Sequence, residues 1–93
     1  MTNAVQKNVI VMARHDPVEA MRVASGITIF GHHVTLVFAH GILVITPEVE
    51  AQAEILELAE VEPYSLFDDT EIPHLEPQQL LPLLRSAEVV INV

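Results

Sequence analysis

The chain has 93 residues and no cysteine, and its formal net charge at pH 7 is −9. The lack of cysteine excludes disulfides, thiolate nucleophiles, persulfide carriers and cysteine-bound metals within the chain. The length suggests a single domain over residues 1–93. A domain of this size buries only about 60–65% of its unfolded surface, so association with other chains is a common route to stability.

The charges are unevenly distributed along the sequence. No Lys or Arg occurs between Val23 and Leu84, where most of the acidic residues lie. Binding to a nucleic-acid backbone or to an anionic membrane surface needs a positive stripe, so neither partner is expected. An acidic surface can attract a basic partner protein, or it can serve only solubility. With no secretory signal and no apolar run long enough to span a bilayer, a cytoplasmic location is expected.

The first predicted elements form a strand, a turn and a helix. An apolar, β-branched run predicts a strand over residues 7–13, apolar on both faces and therefore central in a sheet. Asp16 is a good N-cap, and Pro17 fits the first helical position, which needs no donor. Apolar residues at a 3.6-residue period predict a helix as far as Phe30, and Gly31 is expected to end it in a left-handed conformation.

Gly26 lies inside this first predicted helix. A glycine there should cost about 1 kcal/mol relative to alanine. It is expected to permit close contact between the helix and the sheet.

The middle of the chain predicts a second strand over residues 33–39 and a second helix over 48–61. Residues 41–46 are ambiguous between a continued strand and a loop packed against the sheet. The expected buried side of the second helix consists of Val49, Ala53, Leu56 and Ala59, broadened by Ile55 and Leu58.

The remaining elements are a short strand over residues 63–67, a helix over 77–86 and a final strand over 88–93. Pro82 is tolerated in that helix if the helix begins near Gln79, because Pro82 then falls in the first turn. The complete pattern, β-α-β-α-β-α-β, predicts an α/β three-layer sandwich around a parallel sheet of about four strands. The strand order does not follow from the sequence.

Several segments together resemble a known family. They are an apolar first strand, the Asp16-Pro17 turn, a helix with small residues, Gly31-His32-His33-Val34-Thr35-Leu36-Val37-Phe38, and His40-Gly41-Ile42. A helix running into a terminal apolar strand at 84–93 continues the pattern. This order resembles the DsrE/DsrF-like family of small sulfur-relay proteins, which includes the Tus B, C and D type subunits. The resemblance implies a DsrE-like fold and a habit of forming dimers, trimers and hexamers.

The chain departs from the family at its reactive residue. Catalytic members carry a sulfur-accepting cysteine in a loop of the later half, whereas this chain has none, and some family subunits lack it too. The resemblance therefore implies a non-catalytic, oligomeric scaffold or docking subunit of intracellular sulfur relay. It would act as a homo-oligomer or beside cysteine-bearing sulfur-relay proteins. Because the chain has no cysteine, no other nucleophile motif and no cofactor motif, no cofactor is predicted and enzyme activity is not expected.

Polar side chains follow the carboxyl ends of three predicted strands: His15 with Asp16, then His40, then Asp68 with Asp69. Ligands of parallel α/β sheets bind at this edge, so these residues are candidates for a metal site or a His–Asp acid–base pair. Each also has a local explanation, as a cap, an exposed turn residue or a strand-end hydrogen bond. The alternative function is a small ligand- or metal-binding module that uses His15, Asp16, His40 and Asp68.

Other residue patterns carry no clear chemistry. His32 and His33 precede the second strand and lie at the opposite edge, where His32 is expected to be exposed and His33 to cover the helix end. His74 lies in a loop that could fold over the carboxyl edge. No Gly-x-Ser-x-Gly elbow, P-loop or dinucleotide-binding glycine pattern is present, so the corresponding enzyme classes are unsupported.

Overall fold

A computed structural model describes residues 6–68 and 72–93 of the chain. Strands and helices alternate along this described part, as the sequence predicts. The elements are β1 (Asn8–Ala13), α1 (Pro17–Thr28), β2 (His33–Phe38), α2 (Pro47–Leu58), β3 (Glu62–Ser65), α3 (Pro77–Ser86) and β4 (Val89–Asn92). The predicted α/β sandwich around a four-stranded parallel sheet is confirmed.

The four strands are ordered β3-β2-β1-β4. The prediction that β1 is central is confirmed, because Val9 pairs with Val34 of β2 on one side and Val89 of β4 on the other. The connections from β1 to β2 and from β2 to β3 run in one direction across the sheet. The connection from β3 to β4 runs in the opposite direction and places β4 on the other side of β1. Because parallel crossovers are right-handed, α1 and α2 cover one face of the sheet and α3 covers the other.

The core lies on both faces of β1. Val9, Val11 and Ala13 pack on the α1 and α2 side, whereas Ile10 and Met12 pack on the α3 side. All five side chains are buried. This arrangement explains why β1 is apolar at every position from Val9 to Ala13 instead of alternating between apolar and polar residues.

Helix α1 starts as predicted and ends earlier than predicted. Its last residue is Thr28 instead of Phe30, and Gly31 follows at φ +83°, in the predicted left-handed conformation. The expectation that Gly26 permits close helix–sheet contact is wrong. A Cβ atom built at Gly26 has no neighbouring atom within 4 Å.

Replacing Gly26 with alanine should therefore stabilise the protein. Alanine gains about 1 kcal/mol of helix propensity over glycine, and there is room for the added methyl group. The free energy of unfolding, measured by urea denaturation, should rise by that amount. The control is Gly31→Ala, which should be destabilising because the positive φ of Gly31 disfavours a side chain. A loss of stability in Gly26→Ala would contradict the conclusion that there is room for a methyl group at this position.

Helix α2 differs from its prediction, whereas the predicted range of α3, residues 77–86, is confirmed. Helix α2 begins at Pro47, where Thr46 Oγ1 accepts a hydrogen bond from Val49 N, and it ends at Leu58, before the predicted residue 61. Of its expected buried side, Val49 and Leu56 are buried, whereas Ala53 is exposed. Ile55 and Leu58 do not broaden this face; they are 46% and 86% exposed.

Residues 41–46 form a loop, which packs Leu43 against the core.

Pro82 is not in the first turn of its helix. Because α3 begins at Pro77 and not near Gln79, Pro82 is the sixth helical residue. At that position an ordinary residue would donate its N–H to the carbonyl of Gln78, and proline cannot. The helix tolerates this defect on its exposed side.

Pro82→Ala should raise the stability of the protein, by about 1–3 kcal/mol, because it restores a helical hydrogen bond. Thermal unfolding followed by circular dichroism measures the change. Pro77→Ala is the matched control: Pro77 occupies the first helical position, where no N–H is needed, so little change is expected. An equal response of the two variants would show that the interior position of Pro82 is not the cause.

Among the described residues, no helix combines the length and the apolar character that crossing a membrane requires.

Candidate functional site

The carboxyl edge of the sheet is partly closed by the chain itself. Arg14 N and His15 N, in the turn after β1, donate hydrogen bonds of 2.8 and 2.9 Å to the main-chain oxygen of Val93. Arg14 Nε donates to Asn92 Oδ1 at 2.7 Å. The sheet order reverses between β1 and β4, which is where open α/β sheets bind ligands. Here the amides at that point already have a partner.

Asp16 acts as the N-cap of α1. Its Oδ1 atom accepts a hydrogen bond of 3.1 Å from Glu19 N, and its backbone is extended, at φ −129° and ψ 93°. A carboxylate in this position satisfies a free helical donor and complements the helix dipole. The same carboxylate leaves little attraction for an external anion at this helix end.

The two histidines of the predicted site lie on neighbouring loops. His15 follows β1 and is exposed. His40 lies two residues beyond the end of β2, also exposed, and it lines a cavity of about 230 Å³ together with Pro17, Val18 and Ile42. This cavity lies between the start of α1 and the loop 41–46, and it is mostly apolar. An imidazole at its border is the one ionisable group among its lining residues.

Asp68 is exposed in the segment that follows β3, whereas Asp69 lies outside the described residues. Strand β2 separates β1 from β3, so the ends of those strands are about 10 Å apart and His15 and Asp68 follow strands that are not adjacent. Within residues 6–68 and 72–93, no three His, Asp or Glu side chains are arranged to hold a metal ion.

His74 lies at the carboxyl edge, beside the end of β3. The sequence did not decide whether its loop would fold over that edge. Residues around it run parallel to the end of β3: Ser65 N donates to Pro73 O at 2.9 Å and Leu75 N to Ser65 O at 2.8 Å. His74 Nδ1 lies 3.2 Å from Phe67 O, and its Nε2 lies 3.5 Å from Glu76 Oε1. These contacts hold the loop against β3, and the buried Ser65 hydroxyl accepts a hydrogen bond from Phe67 N.

The histidines at the opposite edge differ from expectation. His32 is half-buried rather than exposed, and its Nδ1 accepts a hydrogen bond of 3.1 Å from Lys7 N. His33 is the exposed one, and its Nε2 lies 4.0 Å from Glu62 Oε1 on β3. His32 therefore has a structural role in holding the chain that leads into β1.

A larger cavity, of about 590 Å³, lies beside α2 and is called the α2 groove below. Its apolar lining includes Phe38, Leu43, Val49, Ala53, Leu56 and Val61, and Glu50 and Glu57 also border it. Sequence reasoning missed this groove. The available signal was Ala53, a small residue in the middle of the apolar stripe of α2, which leaves room between the helix and its surroundings.

The described part of the carboxyl edge has exposed imidazoles at His15 and His40. Its carboxylate at the start of α1 and its main-chain amides already form hydrogen bonds within the protein. No family model, curated protein or solved structure matches this chain. The geometry of the two cavities and of the exposed surface is therefore the physical basis for a functional proposal.

The capping role of Asp16 is testable by substitution. Asp16→Ala should lower the free energy of unfolding by about 1 kcal/mol, because Glu19 N loses its acceptor. Asp16→Asn keeps a side-chain oxygen and should retain most of the stability. Chemical denaturation of the three proteins measures this, and equal stability of wild type and Asp16→Ala would show that the hydrogen bond is not a stabilising cap.

Proposed function

We propose that the chain is a non-catalytic, DsrE-like protein that acts as an oligomeric scaffold or docking subunit of intracellular sulfur relay. The observation that carries the proposal is the exposure of large apolar side chains. Five of them, in the loops that follow α1 and β2 and at the end of α2, are between 65% and 86% exposed: Ile29, Phe30, Ile42, Val44 and Leu58. In a chain of 93 residues this much exposed apolar surface favours contact with other proteins.

Strand β4 offers a surface for self-association. It pairs with β1 on one side only and forms an edge of the sheet as described. Between Val89 and Asn92 it contains no proline and no charged residue, the usual devices that keep sheet edges apart. Val89 and Val90 are 37% and 41% exposed. Two copies could pair their β4 strands around a two-fold axis and form one continuous sheet.

The distribution of charge also favours β4 as the contact between copies. The residues next to β4 include Arg85 and Glu88, which balance each other, whereas the four glutamates of α2 lie with the β2 and β3 half of the sheet. Because like charges repel, two acidic α2 surfaces would not pair readily, and the β4 edges avoid that cost.

The connection to sulfur relay comes from the sequence resemblance and from the missing cysteine. A DsrE-like subunit without a cysteine cannot carry a persulfide, so its contribution would be to hold or orient a cysteine-bearing partner. Such a role would place the protein in the cytoplasm with that partner.

Light scattering coupled to size-exclusion chromatography tests self-association. The wild-type chain should be a dimer or a larger oligomer, and Val90→Lys should shift it toward the monomer, because a lysine on the edge strand opposes pairing. A strict monomer that also forms no complex with a cysteine-bearing sulfur-relay protein of the same organism would refute the proposal.

The matched control is Ile55→Lys, which places the same charge on a similarly exposed isoleucine of α2, away from β4. It should leave the oligomer unchanged, and circular dichroism should show both variants folded. Dissociation by Ile55→Lys but not by Val90→Lys would place the contact elsewhere.

A second candidate function is a small-ligand or metal-binding module, which is favoured by the position of His40 at the 230 Å³ cavity. It predicts binding of Zn²⁺ or Ni²⁺ in calorimetric titrations, weakened by His15→Ala and by His40→Ala. His33→Ala, at the opposite edge of the sheet, is the control. Binding that is unchanged in the first two variants would eliminate this candidate.

A further inference from the structure

We propose that the α2 groove is the docking site for a basic, amphipathic helical segment of another protein. This inference rests on the proposed docking role and specifies the surface and the chemistry of the partner. Three features carry it: the apolar lining of the groove, the carboxylates that border it, and the absence of a basic segment of this chain that could fill it.

The groove has a firm apolar floor. Phe38, Val49, Leu56 and Val61 line it, and each is at most 6% exposed, so they form part of the core rather than a mobile surface. Ala53 lies at its border on α2 and is exposed. A volume of about 590 Å³ accommodates two or three large apolar side chains of a partner.

Helix α2 places carboxylates along one side of this floor. Glu50 and Glu57 both line the groove and are seven residues apart, so they lie two helical turns, or about 10 Å, from each other on the same side of the helix. Among the described residues Arg22 pairs with Glu19, and the imidazoles of His33 and His74 lie near Glu62 and Glu76. None of these contacts uses Glu50 or Glu57. The groove is therefore apolar inside and negatively charged at its border.

The spacing defines the partner. A helix lying along α2 would present apolar side chains three or four residues apart to the floor. Lys or Arg residues about seven positions apart on its flank would meet Glu50 and Glu57. Such pairs contribute to orientation and to the rate of association, while the apolar side chains supply most of the affinity.

A second copy of this chain does not fit that description. Its basic residues are Lys7, Arg14, Arg22 and Arg85, and none of its helices contains more than one of them. Its net charge of −9 also opposes the approach of another copy to an acidic border. The occupant is therefore a different, basic protein.

The test uses a synthetic, fluorescein-labelled helical peptide with leucines three and four residues apart and lysines seven residues apart. Fluorescence anisotropy should show saturable binding to the wild-type chain that weakens as salt is added. Glu50→Lys combined with Glu57→Lys should weaken binding roughly tenfold or more, because two attractions become repulsions. Ala53→Trp should abolish binding by filling the groove.

The matched control is Glu48→Lys combined with Glu54→Lys. It makes the same change in net charge on the same helix, but neither residue lines the groove. This variant should bind the peptide with an affinity within roughly threefold of wild type, since long-range charge effects are screened by salt. An equal loss in both double variants would overturn the proposal, because it would show non-specific attraction to an acidic protein.

Two further peptides complete the experiment. A peptide with glutamine in place of the leucines and one with glutamate in place of the lysines should both bind poorly, and equal binding of either would overturn the proposal. An apolar dye provides a further check on the α2 groove. If the dye binds the wild-type chain but not Ala53→Trp, and the basic peptide cannot displace it, the proposal is overturned, because the groove would then be a small-molecule site.

The oligomeric state separates this inference from the function on which it rests. A chain that forms the β4-dependent oligomer but binds no peptide overturns the α2 groove assignment alone. A chain that binds the peptide as a monomer, with the predicted dependence on Glu50 and Glu57, supports the groove and overturns self-association through β4.

Discussion

The burial of β1 on both faces is the constraint on which the rest of the structure depends. Val11 and Ala13 on one side and Met12 on the other are almost completely removed from solvent. A strand with two apolar faces needs helices above and below it and hydrogen-bonded strands on both flanks. The three helices and the positions of β2 and β4 meet that requirement. The core is built mainly from aliphatic side chains, because the chain has few aromatic residues.

The same strand also explains why the usual ligand position of this fold is partly closed. Because β4 pairs with β1, the main chain at Val93 reaches the turn after β1 and accepts hydrogen bonds from Arg14 and His15. Asp16 is likewise used at the start of α1. These amides and this carboxylate therefore stabilise the contact between β1, β4 and the start of α1 instead of binding an anion. The exposed β4 edge and the α2 groove lie elsewhere on the protein.

The sheet order separates two kinds of surface. One side of the sheet ends in β4, whose neighbourhood is almost balanced in charge, and the other half carries α2 with its glutamates and its apolar groove. These surfaces differ in the partner that they favour, since a neutral strand edge suits an identical copy and an acidic groove suits a basic segment. A small domain with two such surfaces can in this way hold two contacts at once.

Local features of the chain were determined by the sequence alone. The capping by Asp16, the left-handed Gly31 and the central place of β1 all depend on interactions within a few residues or on one apolar run, so the residue pattern predicts them. The end of α2 was predicted incorrectly, because apolar spacing alone does not locate helix ends. The range of α3 was predicted correctly, but the sequence left open whether Pro82 lies in its first turn.

The candidate site depended on tertiary structure. The sequence placed His15, His40 and Asp68 at one edge, but the distances between the ends of strands depend on the strand order, which no local pattern encodes. The α2 groove arises from contacts between residues far apart in the chain, and the pairing with Ser65 depends on how the His74 loop folds back on β3. The sequence thus determined which elements form and which strand is buried, whereas only the packing of those elements decided which polar groups meet and which apolar surfaces stay open.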